Sequence, residues 1–368
     1  MRVVRRHAPT TPILLLLATL ALAGCGDRDS SPGASATPKR ESTTPARGAA
    51  APGGKTATPE PASSTPAPGR AHGPWSAPVA AHPIPAPLAA APGWREGVTS
   101  AAGGARAIIE YTGSEDFRLR VALRGRTRTL ARYDRSDFLN PALTDVALAA
   151  AGDGSALVVY SEGYAEGNRV RALNLAPNGR FGRARTIGRT LGFANVEAAM
   201  APNGRAVVAW STTDTGLEIN LPARMLVTTR ERGATHFTRP RELDRSRKVS
   251  EATPEPKLAV TADDALLLWN ATGRGLRAAR GPLREDVRLG RGRPGAVALR
   301  ADGAALATWI RDGRVVAAVA EPGEAFGRAE AVSDRAEAED LDATFDAAGR
   351  PLVTWTADGK RLRASRHS

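Results

Sequence analysis

Residues 145–160 read DVALAAAGDGSALVVY, and residues 196–210 read VEAAMAPNGRAVVAW. Each runs from small apolar residues through an Asp-Gly or Asn-Gly turn into an apolar, β-branched stretch that closes on an aromatic. Asp, Asn and Gly tolerate the backbone angles of a tight hairpin, and a short apolar run between turns is the pattern of a buried strand. Four more segments share the pattern: 97–111, 257–269, 296–309 and 341–355. The closing aromatics are Tyr111, Tyr160, Trp210, Trp269, Trp309 and Trp355, spaced by 49, 50, 59, 40 and 46 residues. The fourth copy departs most, with Asp263-Asp264 where Gly154, Gly204, Gly303 and Gly349 mark the turn in others.

A third run follows each aromatic: RLRVAL, RVRALNL, RMLVTTR, GLRAAR, RVVAAVA and RLRASR. Several alternate polar with apolar residues, as half-covered strands do. A fourth element recurs after it, often opening on an aromatic, as in GRFGRARTIG, THFTRPRELD and EAFGRAEAVS. Four antiparallel strands repeated every 40–59 residues, with no sustained helical period, predict an all-β, six-bladed β-propeller. The second-strand aromatics read as packing residues between blades. The sixth copy lacks its fourth element at the C-terminal end, but GPWSAPVA at 73–80 matches GRFGRART at 179–186. The expectation is that strand 73–82 completes the last blade and closes the ring, removing exposed edges. The D/N-G turn, V-V-x-W and F-G-x-x-x-x-V/I together resemble the repeats of secreted β-propellers of GC-rich actinobacteria, over residues 73–368. That resemblance implies an architecture and no particular activity.

The first 24 residues have the parts of an export signal: Arg2, Arg5 and Arg6, then an apolar run from Ile13 to Ala23. That run is too short to span a bilayer of about 30 Å as a helix. It ends in Leu22-Ala23-Gly24-Cys25, which resembles the lipobox of bacterial lipoproteins. The resemblance implies cleavage before Cys25, acylation of its thiol with a palmitate-type lipid, and anchoring to the outer face of the cell membrane. Cys25 is the only cysteine, so neither a disulfide nor a thiolate metal site is available to the rest of the chain. Residues 26–72 contain no Val, Ile, Leu, Met, Phe, Tyr or Trp. They cannot bury enough apolar area to offset the entropy of ordering and read as a disordered tether over 25–72. Fully extended, it would reach roughly 145 Å.

The net charge of +13 comes from 46 Arg and 5 Lys against 38 acidic residues. Subtracting +3 for the signal and +2 for 26–72 leaves about +8 on the body. A mildly basic exported domain suits an anionic surface; nucleic acid is not an expected partner.

Long connections are expected near 134–144, 188–195, 244–256 and 334–340, with long hairpins at 161–168 and 211–223. In a propeller these emerge on one face, so that face is the expected binding surface. Its candidates are Phe138 and Asn140; Glu162, Tyr164 and Asn168; Phe193 and Asn195; Asp214 and Glu218. Aromatics beside amides and carboxylates suit a sugar or a peptide. Asp145, Glu197, Glu255 and Asp342 open inner strands and could face the channel. No Gly-x-Ser-x-Gly elbow and no His pair with metal-ligand spacing occurs, so no catalytic residue, cofactor or metal is expected. The reading is a monomeric, membrane-anchored, non-enzymatic module that binds a polysaccharide or protein. The alternatives are a secreted hydrolase or lyase acting on polysaccharide, and an envelope-assembly partner.

Overall fold

Each Asp-Gly or Asn-Gly turn is held the same way. In a computed structural model of the chain, Asp153 Oδ1 accepts from Ser155 N (2.8 Å), Asn203 Oδ1 from Arg205 N (3.0 Å) and Asp302 Oδ1 from Ala304 N (3.0 Å). The glycine that follows has positive φ, 81° at Gly154 and 87° at Gly204, a region that a Cβ disfavours. Gly154 N also donates to Ala151 O, closing a turn whose extra residue tightens the twist of the hairpin. The fourth copy differs because its loop is one residue shorter. Val260 pairs with Ala265 across four residues, where Ala150 pairs with Ala156 across five. Asp264 replaces the glycine, its Oδ1 accepting from both Ala265 N and Gly281 N at 2.7 Å.

The structure describes residues 75–76, 79–80, 95–100, 106–111, 116–123, 126–134, 143–163, 168–190, 194–212, 222–249, 255–271, 273–334, 338–357 and 361–367. Every regular element among them is a strand. Strand β1 is Val79–Ala80. Sheet I is β2 (Arg95–Ser100), β3 (Arg106–Tyr111), β4 (Asp116–Leu123) and β5 (Arg126–Asp134). Sheet II is β6 (Leu143–Ala150), β7 (Ala156–Glu162), β8 (Asn168–Leu175) and β9 (Arg185–Thr190). Sheet III is β10 (Ala194–Met200), β11 (Ala206–Thr212), β12 (Pro222–Arg230) and β13 (Arg241–Val249). Sheet IV is β14 (Lys257–Val260), β15 (Ala265–Ala271), β16 (Gly275–Arg280) and β17 (Asp286–Gly290). Sheet V is β18 (Arg293–Leu299), β19 (Ala305–Arg311), β20 (Arg314–Ala320) and β21 (Glu330–Ala331). Sheet VI is β22 (Ala338–Phe345), β23 (Pro351–Ala357) and β24 (Arg361–Arg366), with β1 on its outer edge. All pairings are antiparallel.

The cores lie between consecutive sheets. Five buried clusters join I to II, II to III, III to IV, IV to V and V to VI. Tyr160, Trp210, Trp269, Trp309 and Trp355 are each buried in the cluster shared with the preceding sheet, as packing residues. The side chain of Tyr111 lies outside the described residues. The alanine and valine of the inner strands allow this close approach of sheets. Gly188 on β9 makes room for its neighbour: a Cβ there would lie 2.5 Å from Trp210 Cζ2.

Two details differ from the sequence expectation. The aromatic of the fourth element does not open the strand. Phe181 makes an isolated bridge to Leu175, and Phe237 and Phe326 precede β13 and β21 outside any strand. Each packs partly buried against the core shared with the preceding sheet, so the segment leaves the ladder to insert its ring. The connections near 188–195 and 244–256 are also shorter than expected, because β9 continues to Thr190 and β13 to Val249.

At the outer edge of sheet VI, Val79 pairs with Ala364 and Trp75 bridges His367. Ser76 N donates to Arg366 O (2.8 Å), Ser365 Oγ to Ser76 O (2.7 Å) and Arg366 N to Ser76 Oγ (3.0 Å). Trp75 is 2% exposed, within the cluster between sheets V and VI, and its ring meets the edge of His367.

Candidate functional site

Of the residues expected on the loop face, Glu162, Asn168 and Asn195 are described, and all three sit in strands. Glu162 closes β7 with its side chain 3% exposed, and Oε1 accepts from Arg171 Nη1 at 3.1 Å. The pair forms because Glu162 lies opposite Arg169 in the ladder, which puts Arg171 on the same face two residues on. Asn168 opens β8 and is buried opposite Thr190. Asn195 is half-buried on β10, opposite Ser211. Phe138, Asn140, Tyr164, Phe193, Asp214 and Glu218 lie outside the described residues, as does Cys25.

Two of the four inner-strand carboxylates, Asp145 and Asp342, have backbone partners. Asp145 Oδ1 accepts from Val146 N and Oδ2 from Val196 N, both at 2.8 Å, so one side chain links sheets II and III. Asp342 Oδ1 accepts from Ala343 N at 2.8 Å in the same manner. Among the described residues no three His, Cys, Asp or Glu side chains cluster as metal ligands would.

A cleft of about 540 Å³ opens elsewhere, at the outer part of the seam between sheets II and III. One wall is the run from Gly182 to Ile187 with Ala172 and Asn174; the other is the segment from Ala234 to Pro240 that precedes β13. The second wall is anchored to β12 by hydrogen bonds of Thr238 to Thr228 and Thr229. Thr238 N donates to Thr229 O (2.8 Å), Thr228 Oγ1 to Thr238 O (2.6 Å) and Thr229 N to Thr238 Oγ1 (3.2 Å). These hold Phe237 against the core, with Ile187 and Ala172 facing it.

The cleft lining includes Arg183, Arg185, His236 and Arg239, and no carboxylate. Arg185 Nη1 donates to His236 Nδ1 at 2.8 Å, across the gap between the sheets. Arg183 and Arg239 are exposed and have no hydrogen-bond or ion-pair partner among the described residues. Beneath Phe237 lies a fifth basic group. Arg230, 8% exposed, stacks on the ring with its guanidinium carbon 5.3 Å from the centroid. It donates to Asn174 Oδ1 and to Gly204 O (3.4 Å) but meets no carboxylate among the described residues. Burial pushes its pKa below the ordinary arginine value. Glu231, the adjacent acid, is exposed and turns to Arg205 (3.7 Å).

No protein family and no curated protein matches the chain. Among solved structures, a sialidase of Trypanosoma rangeli in complex with a difluoro-KDN is similar at 10% identity and a TM-score of 0.41. The match covers 73% of this chain and 52% of the sialidase, so the chain spans about half its length. The polysaccharide lyase Uly1 is similar at 11% identity and a TM-score of 0.44, over 74% of this chain and 77% of the lyase. The lectin of Aleuria aurantia, in complex with α-methyl-L-fucoside, is similar at 10% identity and a TM-score of 0.40, over 72% and 88%.

Proposed function

We propose that the chain is an exported lipoprotein whose body, over residues 73–368, is a six-bladed β-propeller serving as a non-enzymatic binding module. The signal is residues 1–24, the lipid sits on Cys25, and residues 26–72 are the tether that holds a monomeric body away from the membrane. The observation that carries this reading is the serial packing of sheets I to VI through five shared cores, with the edge of the last sheet supplied by residues next to the tether. Sheets that pack face to face in series are the elements of a ring, and a ring closed by its own N-terminal strand leaves no free blade edge. The Leu22-Ala23-Gly24-Cys25 motif supports the anchor, since its cysteine is the only one in 368 residues. Two or more acyl chains hold a protein to a bilayer firmly, at about 0.8 kcal/mol per buried CH₂.

The anchor is tested by expressing the full chain in a bacterium fed with labelled palmitate. The label should enter the protein, and the chain should fractionate with membranes after cleavage before Cys25. Cys25→Ser should lose the label and release the protein. A labelled Cys25→Ser protein, or a chain cleaved elsewhere, would overturn the lipoprotein reading.

A further inference from the structure

The cleft between sheets II and III is unlike the equivalent seam between sheets IV and V. Aligned on their aromatics, Thr235-His236-Phe237-Thr238-Arg239-Pro240-Arg241 stands where sheet V has Glu324-Ala325-Phe326-Gly327-Arg328-Ala329-Glu330. Both segments insert a Phe into the core behind them. Arg239 has its counterpart in Arg328, but Thr235, His236, Thr238 and Arg241 stand where sheet V has Glu324, Ala325, Gly327 and Glu330. The packing role of the segment therefore does not explain why its acidic and small positions carry cationic or hydroxylic residues.

The charge is also uncompensated among the described residues. Three guanidiniums and an imidazole line a space of about 540 Å³ without a described carboxylate, and the buried Arg230 beneath adds a cation with no counter-ion among the described residues. A buried charge is normally paired, because removing it from water is costly. Guanidiniums present several N–H donors in a plane that matches carboxylate and phosphate oxygens. A pocket of this size takes one or two sugar rings or a short polymer segment. Ile187, Ala172 and Phe237 form an apolar floor suited to the C–H face of a sugar, and Thr186 and Thr235 add hydroxyls at the wall.

We infer that this cleft binds an oxyanion-bearing polysaccharide, with Arg183, Arg185 and Arg239 engaging its carboxylates or phosphates. The inference deepens the binding-module reading by naming a site and a ligand class, and it does not depend on the lipid.

The experiment uses the full chain in detergent and three immobilised polymers: polygalacturonate for carboxylate, poly(glycerol phosphate) for phosphate, and neutral dextran. At least one anionic polymer should bind and dextran should not; which one binds tells the carboxylate source from the phosphate source. Because the whole protein is basic, two triple variants separate a site from diffuse attraction. Arg183→Ala/Arg185→Ala/Arg239→Ala should weaken binding at least tenfold. Arg288→Ala/Arg291→Ala/Arg311→Ala, which removes the same charge around a separate hollow of sheets IV and V, should change it less than twofold. A second cleft variant, Thr235→Glu, guards against misfolding, because sheet V carries Glu324 at that place. It should weaken binding while leaving the melting temperature unchanged. Equal losses in the two triples, or dextran binding as well as the anionic polymers, would overturn the site. Polymer binding that survives the cleft variants would overturn it too, while leaving a binding module whose ligand sits elsewhere. Binding to none of the three would remove both.

Discussion

Sheet III and sheet VI have the same four-strand plan but acquire their outer edges differently. The edge of sheet III, β13, follows its neighbour β12 after a short connection. The edge of sheet VI, β1, comes from the far end of the chain: Ser365 and Ser76 are 289 residues apart. By the logarithmic growth of loop entropy, bringing such ends together costs about 3 kcal/mol more than closing a ten-residue loop. The two edges are anchored accordingly. Sheet III ties β13 forward to sheet IV, where Asp244 Oδ2 accepts from Trp269 Nε1 at 3.1 Å and Asp244 also pairs with Arg274. Sheet VI relies on the burial of Trp75 in the core behind it and on the amide, carbonyl and hydroxyl of Ser76, all three bonded to β24. Both edges insert an aromatic into the core behind them, Phe237 half-buried and Trp75 fully buried, so the remote strand takes the deeper anchor where the adjacent strand adds a polar tie.

The largest effect should come from removing the remote edge. Deleting residues 26–72 should leave the melting temperature nearly unchanged. Deleting 26–84, which takes Trp75, Ser76 and β1 as well, should lower it sharply or prevent folding. The same melting curve from both truncations, measured by circular dichroism, would break the comparison, because sheet VI would then be stable without its remote edge.

A smaller pair of substitutions sharpens it. Trp75→Ala and Trp210→Ala each delete a buried ring and should cost about 3–5 kcal/mol by denaturant titration. Gly188→Ala should cost about 1–3 kcal/mol, since the added Cβ must displace the Trp210 ring. If Trp75→Ala costs far less than Trp210→Ala, the edge of sheet VI is held by the Ser76 hydrogen bonds and not by the ring.

Much of this was legible in the sequence because the repeat carries its own punctuation. The Asp-Gly and Asn-Gly turns located the hairpins, and the aromatics six residues beyond them marked the second strands. The likeness of 73–80 to 179–186 pointed to the pairing of β1 with β24. The cleft was not legible. Its two walls lie about fifty residues apart in the chain, and Arg185 and His236 meet only because consecutive sheets stack. Glu162 and Asn168 read as loop ligands, but the strands run further than the turn residues suggest and bury both. The preponderance of arginine also has a structural side that composition hid. Arg205 Nη1 donates to Asp264 O (3.0 Å), Arg280 to Gly303 O and Arg300 Nη1 to Gly349 O (2.5 Å), each reaching from one sheet to the turn of the next.

The subtlest difference between the two sheets concerns acid. The first hairpin of sheet III turns on Asn203, which does not titrate, and that of sheet VI on Asp346. The Asp346 carboxylate accepts from Arg350 N and Ala348 N, both at 2.9 Å, and pairs with the guanidiniums of Arg350 (3.1 Å) and Arg366 (3.0 Å). These bonds, the Arg350 amide foremost, hold its pKa below the ordinary 3.8. Asp302, in the corresponding turn of sheet V, is held down to about 2 chiefly by its bond to Arg300. A carboxylate whose pKa falls on folding adds stability that is complete above 3.8 and lost as the pH drops through the folded value. Hydrogen exchange of the β22–β23 hairpin, corrected for intrinsic rates, should therefore quicken between pH 4 and pH 2 relative to the β10–β11 hairpin. Asp346→Asn should make the two hairpins respond alike, because an amide keeps the turn bonds and has no charge to lose. A relative rate that stays flat in the parent protein would mean that the turn of sheet VI is held by its backbone alone.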